Sequence, residues 1–172
     1  GDRTLNATLP PAFTPFCFGD GSLATNCPCS NFGTTGRGCA NSQNVNGALL
    51  VASGTTHPDT AVLSASGMLP TALCVFLQGN TLAGAGIVFG DGLRCTGGSL
   101  KRIGIKAASA GATSYPQGGD LGINARSAAL GDVIPIAATR LYQTYYRDPN
   151  PTFCANPPGG TFNVTNGILM VW

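Results

Sequence analysis

Four of the chain's seven cysteines fall within one short stretch, from Cys17 to Cys39. The residues between them are mostly Gly, Asp, Asn, Ser and Pro, which favour turns and leave no room for a regular helix or strand. Crosslinks must therefore hold this stretch in place. Seven cysteines beside a single histidine indicate disulfides formed in an oxidising compartment.

Zinc binding is the competing interpretation of these cysteines, since Cys27, Cys29 and Cys39 could supply three thiolates. The two-by-two ligand spacing of zinc sites is missing, however, and the only histidine, His57, is remote in sequence. We therefore expect disulfides, no metal site and no other cofactor.

The composition favours an all-β protein outside the cell. Charged residues make up 9% of the chain, against about 25% in a typical soluble domain, and Glu is absent. The net charge of +2 is too small and scattered to predict a nucleic-acid partner. No apolar run approaches the length of a membrane span. The chain begins with Gly1, which is typical of a mature secreted form.

Short runs of apolar or alternating residues, separated by turn residues, follow one another along the chain. They predict an antiparallel β-sandwich or jelly roll with about nine strands and no helix. The expected strands lie at residues 4–9, 48–53, 60–66, 72–78, 85–89, 100–106, 121–126, 136–147 and 162–172. The similar stretches around Leu50 and Leu63 suit neighbouring strands, and residues 72–78 are expected at the centre of a sheet.

The last run carries apolar residues at even positions from Phe162 to Trp172, interrupted only at Asn166. This parity predicts one long strand with a single buried face. A hairpin turn at Asn166–Gly167 is the alternative.

The first 16 residues form an expected arm that precedes the domain of residues 17–172. Leu5, Ala7 and Leu9 alternate with polar residues and predict one face of a short strand. The prolines from Pro10 to Pro15 predict an extended connector that keeps this strand away from its own domain.

Several motifs occur together in the expected domain: Cys-Phe-Gly-Asp-Gly from Cys17, Cys27-Pro-Cys29, Gly-Arg-Gly-Cys-Ala-Asn-Ser from Gly36, Phe-Gly-Asp-Gly-Leu-Arg-Cys from Phe89, Ser-Tyr-Pro from Ser114, Tyr-Tyr-Arg from Tyr145, Phe153-Cys154, and Thr-Phe-Asn-Val-Thr-Asn-Gly from Thr161. In this order they resemble an uncharacterised domain of large secreted proteins from environmental bacteria such as planctomycetes. The resemblance covers residues 17–172. It implies secretion and a β fold, and it brings no established activity.

The resemblance also implies which cysteines form disulfides. Cys74 lies outside the pattern and is expected to be a free, buried thiol. The six that match are Cys17, Cys27, Cys29, Cys39, Cys95 and Cys154. We predict the pairs Cys95–Cys154, Cys17–Cys29 and Cys27–Cys39, although spacing alone leaves other pairings open.

The residue types most often found in catalytic or metal sites have simpler interpretations in this chain. His57 precedes a proline and predicts an exposed loop. The seven aspartates mostly stand beside Gly or Pro, which is typical of turns. In the two Phe-Gly-Asp-Gly motifs, Asp20 with Ser22 or Asp91 with nearby carbonyls could bind Ca²⁺, but the ligand series of an EF-hand is missing and tight turns are favoured.

Two surface features are left open. Tyr142, Tyr145, Tyr146 and Phe153 lie around Arg140 and Arg147 and could form an aromatic row for a sugar, but alternate members are expected to face the core. The sequons at Asn6 and Asn163 could carry a surface glycan, and Asn163 is expected on the outward face of its strand.

No constellation of residues predicts an enzyme. We expect a non-enzymatic structural subunit that assembles into an extracellular fibre or surface layer as a homo-oligomer or polymer. Leu5, Ala7 and Leu9 would then enter an open sheet edge of a neighbouring copy. For the arm itself, the alternative is that it pairs with the edge of its own domain or is disordered. A carbohydrate- or cell-surface-binding module is the alternative.

Overall fold

The computed structural model describes residues 12–155 and 160–172, and these confirm the all-β prediction. In chain order the described elements are β1 (Phe13–Phe16), β2 (Leu49–Ser53), β3 (Val62–Ser66), β4 (Leu73–Gly79), β5 (Thr81–Phe89), β6 (Gly92–Gly97), β7 (Lys101–Ala107), β8 (Thr113–Tyr115), α1 (Ile123–Ala129), β9 (Thr139–Arg147), β10 (Phe162–Val164) and β11 (Gly167–Val171).

An antiparallel six-stranded sheet forms the centre of the fold. Its order is β1-β11-β9-β4-β7, and β10 also pairs with β9. Strands β4 and β9 lie side by side in the middle and are buried on both faces. This double burial explains why β4 is a continuous apolar run, since both of its sides need apolar neighbours.

A second sheet, ordered β2-β3-β8, covers one face of the central sheet. Strands β2 and β3 pair as expected, with Leu50 opposite Ala65 and Ala52 opposite Leu63. The core between the sheets includes Leu50, Leu63, Phe76 and Tyr146. The sandwich prediction is therefore confirmed.

The β5–β6 hairpin covers the opposite face of the central sheet. Gln143 points toward it from β9: its Oε1 accepts hydrogen bonds from the backbone N–H groups of Cys95 and Thr96, at 2.8 and 2.9 Å. Its Nε2 donates to the carbonyl of Leu93 at 3.1 Å. The sequence pattern did not predict β6, because this strand is short and rich in glycine and polar residues. It did not predict β8 either, because that strand has only three residues.

The single long strand predicted for residues 162–172 is interrupted. Val164 lies opposite Tyr145, whereas Ile168 lies opposite Tyr142, so residues 165–167 contain one residue more than the facing stretch of β9. This is a β-bulge, which moves the following side chains to the other face. The even positions are mostly buried, as predicted, but Val164 and Ile168 face different layers. The hairpin alternative is also excluded, since β10 and β11 both run antiparallel to β9.

The predicted strand at 121–126 is wrong, because this region forms α1. Ile123 and Ser127 lie four residues apart and are its buried residues. Gly122 offers no capping side chain, and the Asp59 carboxylate instead accepts from the Asn124 N–H at 2.8 Å. Tertiary contacts thus stabilise a helix that is too short to form alone.

The predicted boundary at residue 17 also needs correction. Phe13–Phe16, expected in the connector, form β1 and pair antiparallel with β11. Pro15 is tolerated there because β1 is an edge strand. The expected strand at 4–9, with Leu5, Ala7 and Leu9, lies outside the described residues.

Three disulfides crosslink the described fold: Cys17–Cys95, Cys27–Cys39 and Cys29–Cys154, with Cα–Cα distances of 5.9, 6.0 and 5.6 Å. Only Cys27–Cys39 agrees with the predicted pairing. Cys17–Cys29 and Cys95–Cys154 are wrong because Cys17 follows β1 onto the face covered by β6, which carries Cys95. Cys29 instead lies beside the loop after β9.

Candidate assembly surface

One long margin of the sandwich is open, between edge strand β1 of the central sheet and edge strand β2 of the second sheet. Near its start, the side chain of Asn166 takes the place of a neighbouring strand. Its Oδ1 accepts from the Leu50 N–H at 2.7 Å, and its Nδ2 donates to the Leu50 carbonyl at 3.0 Å. The bulge after β10 places Asn166 at this edge.

Beyond Asn166, no strand of the described residues pairs with the outer edge of β2. The N–H and C=O groups of alternate residues point the same way along a strand, so those of Ala52 face the same open side as those of Leu50. Among the described residues, neither group of Ala52 has a hydrogen-bond partner there. The edge can therefore accept the backbone of another strand.

An apolar groove of about 310 Å³ runs along this edge. Its walls are Phe13 and Pro15 of β1, Leu50 and Ala52 of β2, and Ile168 of β11. We call this groove the open seam. Apolar walls beside unpaired backbone groups are the two features that β-strand addition requires.

A second cavity, of about 510 Å³, lies at the far end of β2. Ala12, Gly54, His57, Ile136 and Trp172 are among its lining residues. Ile136 is 82% exposed and adds an apolar surface at this end. Ala12, where the described chain begins, thus lies at this end of the seam.

The aromatic residues predicted as a possible sugar platform lie mostly in the interior. Tyr142 and Tyr146 are completely buried, and burial raises the pKa of both hydroxyls above the ordinary value. Tyr145 is half-buried and packs edge-to-face against Phe89 and Phe162. No Tyr or Trp of the described chain is exposed, and residues 1–11 and 156–159 contain no aromatic residue.

A polar network joins the centre of the sheet to the loop before β9. The Tyr142 hydroxyl accepts from Trp172 Nε1 at 3.0 Å and donates to Gln78 at 3.1 Å. Gln78 Nε2 donates in turn to Asp132 at 2.8 Å. Arg140 binds Asp132 through two nitrogens, at 2.6 and 2.8 Å, and holds the pKa of that carboxyl below its usual value.

Other residues singled out in the sequence have structural positions. His57 is exposed, as predicted. The Asp20 carboxylate accepts from the N–H and hydroxyl of Ser22, and chiefly this hydroxyl bond lowers the pKa of Asp20. Cys74 is buried and, among the described residues, lies outside any disulfide, as predicted. Burial raises the pKa of its thiol to about 12.

The expected outward position of Asn163 is wrong. Its side chain is fully buried, and its Nδ2 donates to the Ala40 carbonyl at 2.8 Å. The bulge that follows β10 reverses the faces, so a glycan cannot be attached at this sequon in the folded chain. The sequon at Asn6 lies outside the described residues.

In comparisons with known proteins, no family model, curated protein or solved structure matches the chain. The resemblance of residues 17–172 to a secreted bacterial domain therefore stays a prediction. In the described part of the chain, α1 is far too short to cross a membrane and no other helix is present.

The sequence analysis did not predict the open seam. The signals were present, since Phe13 and Pro15 alternate with Thr14, and Asn166 interrupts an apolar face. Their meaning depends on β1 and β2 lying side by side, and they are more than 30 residues apart. Sequence spacing cannot show that contact.

Proposed function

We propose that this protein is a secreted, non-enzymatic structural subunit that assembles into an extracellular fibre or surface layer. In this assembly, residues 4–9 of one copy enter the open seam of the next. The observation that carries the proposal is the apolar edge of β2, which no strand of the described residues pairs with. Leu5, Ala7 and Leu9 supply alternate side chains for the groove, while the arm backbone pairs with that of β2.

The direction of the chain favours a second copy as the donor. The seam runs from Asn166 and Ile168 beside Leu50 to Trp172 beside Gly54, so β2 runs antiparallel to β1. For a chain to fill its own seam, its arm must reverse into β1 through Pro10–Pro11. A tight two-residue hairpin turn needs positive φ angles, which proline cannot adopt, so Pro10–Pro11 disfavours a tight reversal of this kind. An arm from another copy has no such restriction.

The surface composition also favours association. With 9% charged residues there is little electrostatic repulsion between copies. A donor arm and an acceptor seam are different surfaces, so the contact is head-to-tail. Unless its rotation closes into a ring, such a contact repeats into a filament.

The three disulfides are consistent with an extracellular location, and secretion is part of the proposal. The alternative, a carbohydrate- or cell-surface-binding module, would use an exposed aromatic platform. The burial of Tyr142 and Tyr146 counts against that alternative.

Negative-stain microscopy of the purified chain tests the proposal. The intact chain should form filaments or sheets, whereas the double variant Leu5→Asp/Leu9→Asp should remain a folded, crosslinked monomer. The matched control is Thr4→Asp/Thr8→Asp, which adds the same charges to the other face of the arm and should still assemble. A monomeric intact chain at high concentration would contradict the proposal and favour the binding-module alternative.

A further inference from the structure

Two aspartates lie on the two sides of the short strand β10. Asp91, in the turn between β5 and β6, donates its backbone N–H to the Phe162 carbonyl at 2.9 Å. Asp148, which follows β9, donates its backbone N–H to the Thr161 carbonyl at 2.9 Å. Both residues are completely buried. The fold therefore brings two carboxyl groups from distant parts of the chain to one dry region.

The two carboxyl groups differ in their hydrogen bonds. Both oxygens of Asp148 accept from Ser42, one from its N–H at 2.9 Å and the other from its hydroxyl. Both carboxylate oxygens of Asp148 are therefore already engaged by Ser42. Neither oxygen of Asp91 accepts a well-aligned hydrogen bond from the described residues, although the backbone N–H of Gly160 lies near enough to lower the pKa of the carboxyl. Asp91 is thus a buried carboxyl group that no side chain of the described residues compensates.

The charge of this region is also uncompensated. Burial, and then the nearby charge of Asp148, raise the pKa of Asp91 to about 6, and the backbone at Gly160 only partly opposes them. No Lys or Arg is among the groups that act on it. A buried carboxylate destabilises the fold unless a cation or hydrogen-bond donors compensate its charge.

We propose that Asp91 and Asp148 together hold a hard divalent cation of the Ca²⁺ type. Ca²⁺ binds carboxylate oxygens and completes its shell with backbone carbonyls and water. Within the described residues no group of three His, Cys, Asp or Glu side chains lies together, so the site supplies two carboxylates. A site with so few charges fits the weak affinity of extracellular modules, with Kd of about 10⁻⁴ to 10⁻³ M.

The proposed site differs from the metal-free expectation drawn from the sequence. The two Phe-Gly-Asp-Gly motifs look equivalent in the sequence, yet Asp20 is partly exposed and its carboxylate accepts from the Ser22 hydroxyl. Asp91 is buried, and no side chain of the described residues binds its carboxyl group. Burial, which the motif does not encode, separates them. Asp20 is therefore the matched control for Asp91.

Thermal unfolding of the intact chain in 10 mM CaCl₂ and in EDTA tests the site, together with calorimetric titration of CaCl₂. Ca²⁺ should raise the Tm by about 3–10 °C, given 10- to 100-fold saturation of the site. Asp91→Asn and Asp148→Asn should each abolish the shift and the binding heat, and Asp20→Asn should keep both. Disulfide mapping of each variant confirms that it has folded.

Two results would overturn the proposal. The first is an intact chain with neither a Tm shift nor binding heat in 10 mM CaCl₂, which would leave Asp91 as a buried protonated group. The second is an equal loss of the response in Asp20→Asn, which would show binding unrelated to the buried pair.

Discussion

At the scale of single residues, the Asp132–Arg140 pair gives a prediction on acid stability. Their side chains are 16% and 11% exposed, so the pair is mostly shielded from water. Arg140 lowers the pKa of Asp132 below its ordinary value of 3.8. The ion pair therefore makes its full contribution to the stability of the fold above pH 3.8. This contribution is lost as the pH falls through the lower, folded-state pKa.

We expect Asp132→Asn to lower the free energy of unfolding by about 2 kcal/mol at pH 7, because it leaves Arg140 without its charged partner. The difference from the native chain should shrink as the pH falls below 3.8. Urea unfolding at several pH values measures it. The control is Asp120→Asn, which breaks the more exposed Lys106–Asp120 pair and should cost less than about 1 kcal/mol. Equal costs at pH 7 would contradict this account.

The thiol of Cys74 gives a second residue-scale prediction. Burial raises its pKa to about 12, so almost no thiolate is present at neutral pH, and reagents cannot reach it. The native chain should show no reaction with Ellman's reagent, and the chain unfolded in guanidinium without reductant should show one thiol. Rapid labelling of the native chain would mean that β4 opens or that Cys74 is more accessible than the structure has it.

At the scale of elements, β11 should be essential, because it lies between β1 and β9 in the central sheet. Met170 is completely buried in the core, so Met170→Ala should cost about 2–5 kcal/mol. Leu169 points to the other face and is half-buried, so Leu169→Ala should cost clearly less. Truncation before Ile168 should prevent folding, since it also removes Trp172. A truncated chain that resists protease would show that β11 is peripheral.

The sequence predicted the strands with strong apolar patterns and missed what depends on the third dimension. Residues 60–66 alternate, and Ala61, Leu63 and Ala65 are buried as expected. The β-bulge at residues 165–167 leaves the apolar residues at even positions, but it turns those that follow it toward the opposite layer. The alternation of apolar residues in the sequence therefore could not reveal the bulge. Helix α1 depends on Asp59, more than 60 residues away, and no local pattern could predict it.

At the scale of the whole molecule, the disulfides should differ strongly in their contributions. Cys29–Cys154 joins residues 125 apart and Cys27–Cys39 joins residues 12 apart. The chain-entropy model assigns them about 5 and about 3 kcal/mol. The double variant Cys29→Ser/Cys154→Ser should therefore unfold at lower urea than Cys27→Ser/Cys39→Ser. The reverse order would contradict this prediction, because it would mean that Cys27–Cys39 stabilises the fold more than the length of the loop that it closes predicts.

The candidate site was predictable only in its donor half. The alternation of Leu5, Ala7 and Leu9 and the prolines after them are local patterns, and they predicted a strand for donation. The acceptor edge arises from the pairing of distant strands and from one bulge that delivers Asn166 to Leu50. Its position could be found only in the folded chain.

A complementation experiment tests the central claim, that the arm of one copy occupies the open seam of another. Leu5→Asp/Leu9→Asp removes the donor and leaves the seam. Ala52→Pro removes a backbone N–H that faces the open side, and it should leave the pairing of β2 with β3 intact.

The measurement is the mass of an equimolar mixture of these two variants by light scattering. Each variant alone should have the 17.4 kDa mass of a single chain, and the mixture should give a one-to-one complex of twice that mass without filaments. A mixture that stays at the mass of a single chain, or filaments formed by either variant alone, would contradict the claim.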